Sequence, residues 1–365
     1  MFSENSLYLH ALNLLPQFGP AHLSKLWEYF GSYKTAYLAD VGELTQAGVK
    51  PEITQLFLQF RPKINLEQEA EKLARNGIGL ISFLDPSYPR LLLEIPKFPP
   101  LLYFRGSIGN PDELCLSVVG TRKITNYGRM ATAQLVEPLA DAGAVIVSGM
   151  AFGVDAAAHE IAIKKRRRTI AVLGGGLDEA SLYPRHHGFL AQQILDAGGA
   201  LLSEYPIGTP NYKQNFVARN RIISGLSPAT LIIECGLESG TLITARHALD
   251  QNRTVFAVPG PIYSPQSQGP NNLLKMGARP ATRAEDILLD LNLQTLPEQQ
   301  QAQELFGDSP AEYKILKLLG FEPRLADDII KESGLEASAV TTALTFLEMK
   351  GKIKHLGGQQ YMLAR

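Results

Sequence analysis

The sequence is poor in the residues that usually announce chemistry. Only two cysteines occur in 365 residues, Cys115 and Cys235, both inside apolar strand-like runs and neither at metal-ligand spacing. They read as small buried hydrophobes, and neither a disulfide scaffold nor a thiolate metal site can be built from them. There is no Gly-x-Ser-x-Gly elbow, no Walker A Gly-Lys-Ser/Thr, no cluster of metal ligands and no Gly-x-Gly-x-x-Gly after the first core strand. No segment offers the ~20 apolar residues of a membrane helix. The N-terminus, Met1-Phe2-Ser3-Glu4-Asn5, lacks a basic region followed by an apolar stretch, so the cytoplasm and no membrane partner are expected. An excess of one charge is missing too: 35 Lys+Arg stand against 36 Asp+Glu. Whole-chain charge therefore points to no nucleic acid or membrane, and only local distribution can. From Leu114 to Gly260 there are 14 cations and 11 carboxylates, with Arg122, Lys123, Arg185, Lys213, Arg219 and Arg221 at strand ends or in loops.

What is present is a repeated grammar of buried strand, small-residue turn and helix. Short β-branched and apolar runs at Leu116–Gly120, Ala144–Ser148, Thr169–Leu173, Ala200–Glu204, Thr230–Glu234 and Val255–Val258 lack a polar face. Each is separated from the next by enough chain for a crossover helix, which predicts an α/β, doubly wound parallel sheet over residues 76–290. Ala131, Leu135 and Leu139 recur on one helical face before Gly143, and Leu242, Ala245 and Leu249 do so before Asn252. Ile81-Ser82-Phe83 and Leu101-Leu102-Tyr103-Phe104 read as strands added at the edge of this sheet.

Two flanking domains are expected. Residues 1–75 read as short helices, and Leu15-Pro16-Gln17-Phe18-Gly19-Pro20-Ala21 within them is either a packing turn or a helix-hairpin-helix turn. Residues 291–309, rich in glutamine, read as a linker. Residues 310–365 carry three helical stretches and a Gly357-Gly358 hairpin, the pattern of a winged helix. Its third helix holds Glu336, Thr341, Thr342, Thr345, Glu348 and a terminal Lys350, which suits a protein-contact or structural role better than DNA reading.

The strand-end turns carry the chemistry. Gly120-Thr121-Arg122-Lys123, the loop running from Ser148-Gly149 to Gly153, Gly174-Gly175-Gly176, and Ser239-Gly240-Thr241 are small, hydroxylic or cationic, which suits phosphate and sugar. Arg219-Asn220-Arg221, preceded by Lys213 and Phe216, adds forked donors beside an aromatic ring at the start of a helix. Either arginine could instead pair with Glu204 or Glu234. Lys164-Lys165-Arg166-Arg167-Arg168 lies at the other end of the sheet and reads as a solvated helix terminus. Asp155, His159 and Glu234 permit the sketch of a hydrolytic site, although a histidine at a helix start is more often a packing residue.

The ordered set Val119-Gly120-Thr121-Arg122, Ser148 to His159, Leu173 to Asp178, Tyr183-Pro184, Ser203-Glu204-Tyr205, Phe216-x-x-Arg219-Asn220-Arg221, Ser239-Gly240-Thr241 and Val258-Pro259-Gly260 resembles the DNA-processing protein A (DprA, also called Smf) family. The resemblance covers most of residues 80 to 280. It implies an extended Rossmann-like fold, flanked by a sterile-alpha-motif-like (SAM-like) helical domain and an optional winged helix. It further implies a homodimer that binds single-stranded DNA and helps load the RecA recombinase during natural transformation, with no catalysis and no cofactor. The DNA pocket it implies uses Gly120, Thr121, Arg122, the Ser148–Gly153 loop, Arg219, Asn220 and Arg221. Arg185 stands where some members have lysine after Tyr-Pro. Met150 and Phe152 occupy variable positions, and the basic run before Thr169 is unusual. The core also resembles the lysine-decarboxylase-like nucleoside-monophosphate phosphoribohydrolases, but their Pro-Gly-Gly-x-Gly-Thr-x-x-Glu signature is incomplete around Ser239-Gly240-Thr241.

Overall fold

A computed structural model describes residues 2–291, 310–320 and 323–363; the expected linker, apart from Leu291, lies outside the described residues. The chain divides into two compact units between residues 293 and 294. In the first, six helices come before any strand: α1 (Glu4–Asn13), α2 (Pro20–Phe30), α3 (Tyr33–Leu38), α4 (Val41–Gln46), α5 (Pro51–Phe60) and α6 (Leu66–Arg75). Local signals set their ends. Pro20 opens α2 where an N–H is not needed, Gly31 closes it at φ 63°, and Asp40 and Glu43 form a reciprocal capping box on α4.

The sheet follows. Its strands are β1 (Gly79–Ser82), β2 (Leu101–Gly106), β3 (Cys115–Val119), β4 (Val145–Ser148), β5 (Thr169–Val172), β6 (Ala200–Ser203), β7 (Ala229–Ile232), β8 (Thr254–Ala257) and β9 (Arg279–Pro280). Between them run α7 (Arg90–Leu93), α8 (Asn126–Asp141), α9 (Val154–Lys164), α10 (Gly188–Asp196), α11 (Lys213–Gly225), α12 (Gly240–Asp250) and α13 (Gln268–Lys275), with α14 (Ala284–Asp290) after β9. The strand order is β1-β2-β6-β5-β4-β3-β7-β8-β9. All six expected core strands are parallel neighbours, and β1 and β2 add antiparallel at one edge, as their sequence predicts. The short β9 on the other edge carries no apolar run and is not visible in the sequence. β3 to β6 extend in one direction and β7 and β8 in the other, so the sheet reverses between β3 and β7. Such a switch point opens a crevice at the carboxyl ends of the strands.

The N-terminal helices are not packed by themselves. Leu9, Leu12 and Leu23 share one apolar core with Tyr103, Leu173 and Leu201. The buried Tyr103 hydroxyl lies 2.8 Å from His10 Nδ1 and accepts from Asn13 Nδ2 at 3.1 Å, while the same Asn13 amide donates to the Glu204 carbonyl. The ring of Trp27, the sole tryptophan, packs edge-on against Phe83 at 5.5 Å. At the amino ends of the strands the basic run is more than a solvated terminus. Lys165 pairs with Asp141 at 2.7 Å, and Arg168 donates to the Gly198 and Ser107 carbonyls and pairs with Glu113, joining three segments.

The second unit is a winged helix: α15 (Pro310–Leu318), β10 (Arg324–Leu325), α16 (Ala326–Ser333), α17 (Ala337–Met349), β11 (Ile353–His355) and β12 (Gln360–Leu363), with strand order β10-β12-β11. Ile315, Ile329, Leu344 and Leu347 fill its core. On α17 the hydroxyls of Thr341, Thr342 and Thr345 donate back to carbonyls one turn earlier, and Lys350 pairs with Glu312 at 2.9 Å. Among the described residues of α17 no unpaired cation is offered to a phosphate backbone.

A shared core predicts shared unfolding. Leu12→Ala should cost about 2–5 kcal/mol, and the Trp27 fluorescence and far-ultraviolet dichroism transitions should remain coincident. A separate early loss of the tryptophan signal would mean that the helices fold independently.

Candidate nucleic-acid interface

A groove of about 620 Å³ lies at the switch point. The turn after β3 supplies Gly120, Thr121 and Arg122; the turn opening α12 supplies Ser239, Gly240 and Thr241; α11 supplies Lys213, Phe216, Arg219 and Asn220. The first two turns are locked together. Thr121 N–H donates to the Glu234 carbonyl at 2.6 Å, and the Glu234 carboxylate accepts from Thr125 N–H at 3.0 Å and from the Thr125 hydroxyl at 2.6 Å. Glu234 is 1 % exposed, so it serves as an internal clamp.

Beneath the groove, Arg219 is buried. Its guanidinium donates to the Gly149 carbonyl at 2.9 Å and to the Val172 carbonyl. Burial pulls its pKa down to about 10, while Asp155 works the other way and favours the cation. Asp155 accepts from the Gly149 and Ala151 N–H groups and, with its charge desolvated, is pushed above the usual carboxylate range. A Cβ at Gly149 would lie 2.5 Å from Arg219 Nη1, so any side chain there would displace the guanidinium. Gly153 sits at φ 83° with the Thr121 carbonyl where a Cβ would go, and it lets α9 start against the first turn.

Two cations lie close to the ring of Phe216. The Arg122 guanidinium is 6.0 Å from its ring centre and that of Arg219 5.8 Å, one exposed and one buried. The ring of Tyr183 tilts against it at 5.5 Å, and Phe152 and Tyr183 extend the wall into a small adjoining cleft. α11 starts at Tyr212–Lys213 with no side-chain cap and no acid in its first turn, so its free N–H groups and Lys213 gather positive potential at the groove. Among the described residues, Arg122, Lys123, Lys213 and Arg185 pair with no carboxylate, in contrast to Lys165 and Arg168 at the opposite end of the sheet.

The other expected residues are placed differently. Ser148 is buried and donates to the Val118 carbonyl at 2.6 Å, so it supports the loop without facing the groove. Gly149 lines only the adjoining cleft. Lys123 and Arg185 are exposed outside the groove lining. Arg221 lies on another face of α11 and pairs with Glu204 at 2.5 Å, the stapling role left open above. The Arg219-Asn220-Arg221 triplet sits in the second and third turns of α11, not at its start, because the helix already begins at Lys213. Tyr183, Asn211 and Val217 also line the groove. No local pattern marks Asn211 and Val217; Tyr183 belongs to the Tyr183-Pro184 motif named above, and its contact with Phe216 shows its place.

His159 is buried behind the loop. Thr169 donates its proton to the Ile146 carbonyl, so His159 Nδ1 must donate to Thr169, at 2.7 Å. Burial, with His187 and Arg219 nearby, lowers its pKa from 6.5 to about 3, which suits a neutral packing residue.

Residues 79–292 match the family described as DNA recombination-mediator protein A, and residues 297–359 match the DprA winged helix domain. The chain belongs to the DNA recombination-mediator protein A family. It is 38 % identical to protein Smf of Escherichia coli over 335 residues, covering 89 % of this chain and 88 % of that protein. It is also 38 % identical to DNA processing protein DprA of Bacillus subtilis over 250 residues, 68 % of this chain and 81 % of that one. The crystal structure of DprA from Streptococcus pneumoniae superimposes with a TM-score of 0.68 at 30 % identity, covering 79 % of this chain and 98 % of that one. A Helicobacter pylori DprA structure, described by its single-stranded DNA binding mode, gives 0.52 at 32 % identity, covering 59 % and 95 %. Among the described residues of this family member no helix is long and apolar enough to cross a membrane.

The two arginines should separate by assay. Arg219→Ala strands two buried carbonyls and the Asp155 charge and should cost about 3 kcal/mol, whereas Arg122→Ala should stay within about 0.5 kcal/mol of wild type. Equal effects in thermal melts would contradict the assignment of one to the scaffold. Unfolded His159 takes up a proton near pH 6.5 that the folded chain refuses until about pH 3. Its contribution is therefore complete above pH 6.5 and lost as pH falls between those values. His159→Gln should flatten this part of the stability profile; an unchanged slope would show that His159 does not cause it.

Proposed function

We propose that this chain grips single-stranded DNA in the switch-point groove, with Phe216 as the stacking platform and Arg122 and Lys213 on the phosphates. The observation that carries the reading is the Phe216 ring close to both Arg122 and Arg219, in a groove whose outer cations lack carboxylate partners among the described residues. Ring faces accept any base and cations track the backbone, which is how strands are bound without sequence preference. The single-stranded DNA binding mode of the Helicobacter pylori relative supports this. Gly120, Thr121, Ser239, Gly240, Thr241 and Asn220 allow close approach of the sugar-phosphate chain. Lys123 and Arg185 extend the positive field along its path. Gly149, Gly153, Ser148, Arg219 and Arg221 act one layer deeper, as scaffold.

The reading extends to a cytoplasmic homodimer that protects incoming strands and loads RecA onto them during natural transformation or homologous recombination, without a cofactor or catalytic step. These parts rest on family membership and on the resemblance described above. The phosphoribohydrolase alternative needs a carboxylate at the sugar. Glu234, which follows β7, is held by Thr125 inside the fold, which favours a binder.

Fluorescence anisotropy with labelled oligothymidine and its duplex counterpart tests the proposal. Affinity should favour the single strand and fall with salt by about 0.7 log unit per phosphate neutralised, per log unit of salt. Phe216→Ala should weaken binding about fivefold to a hundredfold, and Arg122→Ala and Lys213→Ala should each reduce the salt slope. Unchanged binding in all three variants would move the site elsewhere. Stimulation of RecA filament growth on bound strands tests the loading step, and its absence would limit the function to binding.

A further inference from the structure

A second concavity, of about 750 Å³, lies on the other side of α11. Its walls come from the turn after α1, from the Glu204–Tyr212 loop and from α11, so the N-terminal helices and the sheet build it together. The helical repeat of α11 divides the two grooves. Lys213, Phe216, Val217 and Asn220 face the switch point, while Gln214, Ala218 and Arg221 face the second groove. The segment Pro210-Asn211-Tyr212-Lys213 borders both grooves. Asn211 and Lys213 line one side and Pro210 and Tyr212 the other, within about 10 Å of chain.

The chemistry of the two grooves is complementary. The second is mainly apolar, with the rings of Phe18, Tyr205 and Tyr212; its polar groups include Thr209, the side-chain amides of Asn13, Gln214 and Asn215, and the His22 imidazole, whose pKa burial and the nearby Lys25 and Lys50 lower, favouring its neutral form. Its one interior guanidinium, Arg221, is neutralised by Glu204 at 2.5 Å, so a phosphate gains nothing by entering. A cation outside that pair, Lys97, is exposed. Rings and amide edges without a free interior charge suit a flat heteroaromatic group that carries hydrogen-bonding edges, while its charged linkage stays on the rim.

Resting on the strand-binding reading above, we infer that the second groove receives unstacked nucleobases of the same strand after it crosses the Tyr212–Lys213 segment. The N-terminal helices then form one wall of the DNA site. The strand makes its phosphate contacts at the switch point and places bases in the second groove, which makes the site longer than the switch-point groove alone.

Ala218→Trp and Ala21→Trp test this, because both residues are exposed, line opposite walls of the second groove and are absent from the first. Binding of oligothymidines of about 4 and about 12 nucleotides is measured with full-length protein, after melts confirm that each variant is folded. Each filled variant should hold the short strand within about twofold of wild type and the longer one about fivefold to a hundredfold more weakly. Abasic replacement at one end of the longer strand should reproduce that loss in wild type and add none in the variants. Wild-type affinity for the longer strand in both folded variants would overturn the inference, as would an equal loss for both lengths. If instead wild type fails to bind the short strand, or Arg122→Ala binds it as well as wild type, the switch-point reading itself is what fails.

Discussion

A guanidinium buried beneath the groove fixes the geometry on which the site depends. Arg219 reaches from α11 to the carbonyls of Gly149 and Val172, at the ends of β4 and β5, and faces the desolvated Asp155. Burying a cation is costly unless it is compensated; here two carbonyls and Asp155 face the charge, although Nε has no partner, and together they hold the loop, two strand ends and α11 in one arrangement. With those parts fixed, Phe216, one turn earlier on α11, is presented to the groove with Arg122 close to its ring. A flexible loop at this point could not keep a ring and a cation in register. The same economy explains Glu234, which closes the first turn from within.

Charge is sorted by depth and by end of the sheet. At the amino ends, Lys165 and Arg168 are held by carboxylates and carbonyls and serve packing. At the carboxyl ends, Arg122 and Lys213 have no such partner among the described residues, beside the uncapped start of α11. A chain of net charge −1 can therefore present a local positive groove, because its acids sit where they neutralise structural cations.

Much of this was readable in the residues. Runs such as Leu116–Val119 and Thr230–Ile232 have no polar face, so burial on both sides and a parallel sheet follow, and the Gly-rich turns after them must lie at one end. The family resemblance named the groove residues, but it could not separate those facing the groove from those beneath it. Ser148, Arg219 and Arg221 belong to the same set of motifs as Arg122, and only their tertiary partners show that Ser148 and Arg219 point inward and that Arg221 turns to Glu204 on another face of α11. β9 was invisible because Arg279-Pro280 pairs through its backbone alone. The merging of the N-terminal helices with the sheet was equally hidden, since Leu9 and Tyr103 are far apart in sequence and meet only in the folded core.

Hydrogen exchange followed by mass spectrometry, with and without saturating oligothymidine, tests the central claim most directly. Binding at the switch point should slow exchange in the segments 120–125 and 213–220 and leave 310–363 unchanged. Protection confined to the winged helix, with both groove segments exchanging as in the free protein, would contradict the account.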